Sequence, residues 1–192
     1  MTAVTLNLDA ITTLTHEQFR ELCRSNRDVR LELTVRGELI VMPPTGWESG
    51  KRNASLTGRL SVWSETDATG VAFDSSTGFR LPNGAVRSPD AAWVRKDRLD
   101  ALDPDPESFL PLAPDFVIEL RSASDSAQSL RDKMKEYLEN GVRLGWFLNP
   151  KDKEVEIYRF GQNNVEVLKS PVSLSGEEVL PGFVLELKGI LD

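Results

Sequence analysis

Asp90 stands directly before the apolar run Ala91-Ala92-Trp93-Val94, and Glu119 lies inside the run Phe116-Val117-Ile118-Glu119-Leu120. A carboxylate in such surroundings is costly unless it is paired or holds a metal. On neighbouring strands these two could share one divalent cation, with water completing its octahedron. A cation held so makes its bound water a better nucleophile and offsets negative charge on a phosphodiester. A basic side chain nearby would stabilise the charge that builds up during attack, and Lys133 is a candidate. Each residue also has a plainer reading. Pro-Asp is a common turn-and-cap pair, and it recurs here at Pro104-Asp105 and Pro114-Asp115. Glu119 could form a salt bridge to Arg121, and Lys133 could sit on a solvated helix face. Glu48 could charge the first turn of its helix or reach the same place as a third carboxylate.

Composition narrows the chemistry. The chain has 192 residues, 23 Lys+Arg and 30 Asp+Glu, for a net charge of -7. Its 40% hydrophobic and 28% charged content is that of an ordinary soluble globular protein. No apolar run approaches the ~20 residues of a membrane span. The N-terminus lacks the basic-then-apolar order of a signal peptide, so a cytoplasmic location is expected. Cys23 and His16 are each the sole residue of their type. That excludes an intrachain disulfide, a cysteine zinc site and a multi-histidine centre. A metal, if bound, must rest on oxygen ligands, which favours Mg2+ or Mn2+. The acidic balance argues against a generic nucleic-acid binder, although positive charge gathers at Arg80, Arg87, Arg95, Lys96 and Arg98, and again at Lys51, Arg52 and Arg59.

The elements that must position these groups are legible in outline. Thr15 with Gln18 fits a capping box for a helix from Thr15 to Arg24. Arg30 to Thr34 and Glu38 to Met42 alternate around Arg36-Gly37 as a hairpin, which Pro43-Pro44 ends. Leu56, Leu60 and Trp63 give helical spacing within a helix from Trp47 to Glu65. Val71-Phe73 and Gly78-Leu81 are short extended pieces, and Asp97 to Leu102 is a helical turn. The run from Phe116 to Leu120 reads as a strand buried on both faces. Leu130, Met134, Tyr137 and Leu138 line one face of a helix from Ser126 to Asn140, with Gly141 as its stop. Leu144 to Leu148 is a further buried strand. Val155 to Tyr158 alternates like an edge hairpin, and short strands fill the tail from Val165 to Leu187. The sum is a single mixed α/β domain over residues 1–192 with one central sheet. Trp63, Trp93 and Trp146 fall on apolar faces and are assigned to the core, whereas Trp47 sits in a glycine-flanked loop.

Four stretches in order carry a resemblance: Ser88-Pro89-Asp90-Ala91-Ala92-Trp93-Val94, Pro114-Asp115-Phe116-Val117-Ile118-Glu119-Leu120-Arg121-Ser122, Lys133-Met134-Lys135-Glu136-Tyr137-Leu138-Glu139-Asn140-Gly141, and Trp146-Phe147-Leu148-Asn149-Pro150. Together they resemble the Uma two family of restriction-endonuclease-like proteins, within the PD-(D/E)XK nuclease superfamily. Met42 to Gly50 is similar to the family's entry into its first core helix. The resemblance spans roughly residues 15 to 190, and the ordered set is more specific than any one motif.

The resemblance implies a restriction-endonuclease-like core over about residues 46–150. That core is a central mixed sheet flanked by helices, with an extra N-terminal helix and hairpin and a C-terminal hairpin extension. It implies that Asp90 and Glu119 are metal ligands for Mg2+ or Mn2+, with Glu48 at the acidic position of the first core helix. The superfamily pattern places lysine two residues after the glutamate, where this chain has Arg121. Arginine keeps its charge and its phosphate-binding fork but does not deprotonate in proteins. The resemblance moves the lysine role to Lys133 and leaves Arg121 as a phosphate or carboxylate partner. The implied activity is metal-dependent endonucleolytic hydrolysis of a nucleic-acid backbone, DNA before RNA, by a homodimer with no membrane association. The alternative is a catalytically silent nuclease fold that binds nucleic acid or a protein. A third reading, from another class, is a dimerisation module pairing through an edge strand at Val155 to Tyr158.

Overall fold

A computed structural model of the chain describes residues 3–192. The N-terminal part comprises β1 (Val4–Leu6), α1 (His16–Ser25), β2 (Arg30–Leu33) and β3 (Leu39–Met42). Thr15 caps α1 through the full reciprocal bond pair with Gln18, as the spacing predicts. β2 and β3 form the expected hairpin, with Arg30 opposite Met42 and Leu33 opposite Leu39. Gly37 supplies the positive φ of +79° that its turn requires. α2 (Trp47–Asp67) follows, then β4 (Gly70–Asp74), β5 (Phe79–Arg80), β6 (Val86–Arg87), β7 (Ala91–Arg95) and α3 (Lys96–Leu102). The remainder is β8 (Phe116–Leu120), α4 (Ala127–Glu139), β9 (Leu144–Asn149), β10 (Glu154–Arg159), β11 (Glu166–Lys169), β12 (Ser173–Ser175) and β13 (Val184–Glu186).

The central sheet has six strands in the order β11-β10-β9-β8-β7-β4. Its pairs are antiparallel except β8 with β9, which run parallel because α4 carries the chain back across one face. Leu56 and Leu60 of α2 pack on the opposite face, together with Leu180, Phe183, Leu185 and Ile190 of the C-terminal segment. Met134 and Tyr137 of α4 pack against Ala92, Val94, Val117 and Phe147 on the first face. β8 is buried along its whole length, as a near-continuous apolar run implies.

The expected central sheet is present, and a second, five-stranded sheet in the order β1-β3-β2-β6-β5 and a two-stranded ribbon of β12 and β13 accompany it. The N-terminal hairpin belongs to that second sheet, because β2 joins β6, three residues before β7 enters the central sheet. One expectation needs correction: Val155 to Tyr158 is not an edge. β10 is paired on both sides, with β9 and with β11. The alternation misled because Glu156, 5% exposed, is buried rather than solvated. It accepts hydrogen bonds from Tyr158 at 2.6 Å and from Arg131 at 2.8 Å. A satisfied buried carboxylate looks in sequence like an outward-facing one. The edge-pairing function proposed for that strand falls with this.

Gly70 marks a close approach. A Cβ there would lie 2.3 Å from two ring atoms of Trp93 and 2.5 Å from the Val94 carbonyl oxygen. Trp93 is 2% exposed and donates to Ser64 Oγ at 3.1 Å, so its ring has little room to retreat. Gly70→Ala is expected to cost about 1–3 kcal/mol by overpacking. Chemical denaturation checks this, and an unchanged midpoint would refute the tight packing of β4 on β7.

Candidate active site

The chain crosses from the second sheet to the central one at Ser88-Pro89, between β6 and β7. Asp90 is the last residue before β7. β7 and β8 are antiparallel, with Ala91 opposite Ile118 and Ala92 opposite Val117. Carrying that register one residue further sets Asp90 opposite Glu119. Side chains alternate along a strand, so Asp90 shares a face with Ala92, and Glu119 with Val117. That face is covered by α4, and Lys133 and Tyr137 lie one turn apart on it.

Glu119 is 3% exposed. Its Oε1 lies 2.8 Å from Lys133 Nζ and accepts a bond from the Tyr137 hydroxyl at 3.0 Å. Its Oε2 has no hydrogen-bond partner among the described residues. Asp90 Oδ2 accepts the backbone N–H of Leu120 at 2.8 Å, and Oδ1 accepts Asn53 Nδ2 at 3.1 Å. The Leu120 contact fastens the Asp90 carboxylate to the strand that carries Glu119. Asn53 Oδ1 is buried with no partner.

A third carboxylate, Glu32, completes the cluster, and nothing in the sequence singled it out. It is 2% exposed and lies 2.8 Å from Lys133 Nζ through Oε1. The same oxygen accepts Ser88 N–H at 2.9 Å, while Oε2 meets Arg87 Nη1 at 3.1 Å. Arg87 Nε in turn donates to Glu136 Oε2 at 2.6 Å, and Asn83 Nδ2 donates to Glu136 Oε1 at 3.1 Å. Glu32 alternates with Leu31 and Leu33, which reads as the solvent side of a hairpin. Its partners stand 55 and 101 positions away in sequence, so no local pattern could reveal them.

Burial and charge act against each other here. Burial pushes the Glu119 carboxyl up to about 7; Lys133 pulls it back, and the charges of Asp90 and Glu32 add to the rise. Asp90 is also raised by burial, against the Leu120 N–H and the charges of Lys133 and Arg30. Burial works to raise Glu32 as well, but the charges of Lys133 and Arg87 outweigh it and hold Glu32 low. Burial works to lower Lys133, yet Glu119 and Glu32 overcome it and keep the ammonium protonated. The site thus carries a fixed cation beside two carboxyls that release their protons reluctantly.

The other two sequence candidates lie elsewhere. Glu48 is exposed in the first turn of α2, and its carboxylate has no hydrogen bond or ion pair among the described residues. Asn53 is the α2 residue that meets Asp90, about 140° around the helix from Glu48. Arg121 lies just past the end of β8 and binds Asp152 Oδ2 at 3.0 Å, Asn149 Oδ1 at 3.2 Å and the Asp125 carbonyl at 3.2 Å. It fastens the loops at the strand ends and is not part of the cluster. Two residues of the basic group on α2 are occupied as well: Arg52 donates to the Asp192 carbonyl, and Arg59 to those of Glu186 and Lys188.

Among the described residues no group of three or more His, Cys, Asp or Glu is arranged to hold a metal ion. The Asp90–Glu119 pair nevertheless suits a hard cation. Its donors are all oxygen, Glu119 Oε2 is unpartnered, and the amide oxygen of Asn53 is orphaned beside Asp90. Water would have to supply the remaining ligands.

The model of the Uma2 family, described as "Putative restriction endonuclease", matches residues 16–188. The chain belongs to the Uma2 family. A search of curated proteins returned no match. Among solved structures, a nuclease described as putative and as belonging to DUF820, from Anabaena variabilis, superposes with a TM-score of 0.77. The two are 18% identical, over 93% of this chain and 97% of that one. This likeness shows the fold: the Uma2 chain has the restriction-endonuclease-like architecture, and the order α2, β4, β7, β8, α4, β9 is the core that the resemblance implied. A DrdV–DNA complex matches at 14% identity over 62% of this chain and 10% of that one; its TM-score of 0.37 carries no argument. No helix among the described residues is long and apolar enough to cross a membrane.

Proposed function

We propose that this Uma2 protein is a metal-dependent endonuclease that hydrolyses phosphodiester bonds in nucleic acid, with DNA as its substrate. The observation that supports this reading is the opposed pair Asp90 and Glu119, with Glu119 Oε2 free of hydrogen bonds among the described residues, beside the protonated Lys133. Asp90 and Glu119 would hold Mg2+ or Mn2+, which when bound activates water and offsets phosphate charge. The Leu120 N–H and Asn53 keep the Asp90 carboxylate aimed, and Tyr137 does the same for Glu119. Lys133, held as an ammonium by two carboxylates, stabilises negative charge on the attacked phosphate and does not act as a base. Glu32 is a positioning residue, because it holds Lys133 Nζ together with Glu119.

The experiment is cleavage of plasmid and single-stranded DNA with Mg2+ or Mn2+ by wild type, Asp90→Asn and Lys133→Met. The reading expects nicking by wild type and losses of at least about 100-fold in both variants. Equal cleavage by all three proteins would end it. A homodimer is part of the same proposal; β11 leaves Val167, 51% exposed, along an unpaired sheet edge that a second copy could meet. A monomer in sedimentation at high concentration would count against it.

One observation favours a second reading, a silent fold that only binds. Lys133 is already saturated by Glu32 and Glu119, and the chain as a whole is acidic. Absence of Mn2+ binding at millimolar concentration, with DNA binding retained, would select this alternative.

A further inference from the structure

The cations around the site differ in one respect. Lys133 is shared by Glu32 and Glu119, Arg87 by Glu32 and Glu136, and Arg121 is paired with Asp152. Arg30 has no ion pair and no side-chain hydrogen bond among the described residues, and its Nε is buried without a partner. It occupies β2 two positions before Glu32, so the two side chains leave the strand on the same face. Glu32 on that face bonds Lys133, and Lys133 bonds Glu119, so Arg30 stands on the face of β2 that carries the cluster. A half-buried guanidinium left unpaired beside carboxylates is costly. The cost is recovered when an anion arrives, and arginine's planar fork suits two oxygens of one phosphate.

We infer that Arg30, supplied by the N-terminal hairpin, is the residue that grips the substrate's phosphate at this site, one of the two tasks the resemblance left open for Arg121. The inference rests on the nuclease reading. It makes the hairpin part of the substrate site: β2 delivers both the clamp on Lys133 and the phosphate-binding arginine. The substrate class is a phosphodiester chain whose backbone phosphate lies between Asp90 and β2.

The test compares wild type, Arg30→Met and Arg30→Lys on plasmid DNA with Mn2+, with melting temperature and Mn2+ calorimetry measured on each. Arg30→Met is expected to raise KM for DNA by roughly 10- to 100-fold. Its melting temperature should not fall, because the removed group had no partner to orphan, and its Mn2+ affinity should not weaken, because the substitution removes a positive charge from beside the carboxylates. Arg30→Lys should recover part of the KM loss through its charge. Wild-type KM in Arg30→Met would overturn the inference and leave the nuclease reading intact. A lower melting temperature with weaker Mn2+ binding, and no recovery by lysine, would place Arg30 in the scaffold and also overturn it. If wild type does not cut at all, the nuclease reading fails first and takes this one with it.

Discussion

Lys133→Met is expected to lose about 3–5 kcal/mol of stability and cleavage activity together. The reason lies in what it leaves behind. Glu32 and Glu119 are 2% and 3% exposed, and Lys133 is the cation between them. Without it, two buried carboxylates confront each other with only Arg87 to serve Glu32. Removing one partner of a buried pair is costly because the other charge stays behind, whatever the pair itself was worth. Lys133→Met combined with Glu32→Gln and Glu119→Gln should therefore recover much of the stability and none of the activity. Denaturant unfolding at pH 7 measures both proteins. A single variant as stable as wild type would show that Lys133 does not hold the cluster.

Glu119→Gln is expected to act in opposite directions on stability and on chemistry. Glutamine can accept the Lys133 and Tyr137 contacts through its oxygen and place its amide where Oε2 has no partner, so the exchange disturbs few bonds. Its effect on stability depends on pH. The folded Glu119 carboxyl titrates near 7, above the ordinary value of 4.5. A group raised in this way contributes its stability fully below the unfolded value, and that contribution is lost as pH rises through the folded one. Wild type should therefore weaken between about pH 4.5 and 7, by up to about 3 kcal/mol from this group. Glu119→Gln should lack that decline and be the more stable protein at pH 8, while losing cleavage by at least about 100-fold. Parallel pH profiles for the two proteins would show that the carboxyl is not raised.

The fold was legible where local pattern and burial agree. The apolar run of β8, the helical spacing of α4 and the Thr15 capping box needed no tertiary knowledge, and the structure places all three as the pattern implies. The pairing of Asp90 with Glu119 was legible because strand alternation carries face information and the two strands are neighbours. Legibility ended where a polar residue is buried by distant partners. Glu32 and Glu156 both alternate with apolar neighbours, as solvent-facing residues do, yet both are sealed by ion pairs from α4 and elsewhere. The same blindness made β10 look like an edge and the N-terminal hairpin look like an appendage. Arg121, two after Glu119, meets the carboxylate of Asp152 once the strand has ended, one of the two partners, phosphate or carboxylate, that the resemblance left open for it.

The central claim is that Asp90 and Glu119 jointly hold one divalent cation beside Lys133. Calorimetric titration of Mn2+ into metal-free wild type, Asp90→Asn and Glu119→Gln at pH 8 tests it most directly, since the pH then lies above the Glu119 value of about 7 and no substrate is needed. The account predicts one Mn2+ per chain in wild type and its loss in each variant. Equal Mn2+ binding by all three proteins, or none by wild type at millimolar metal, would contradict it.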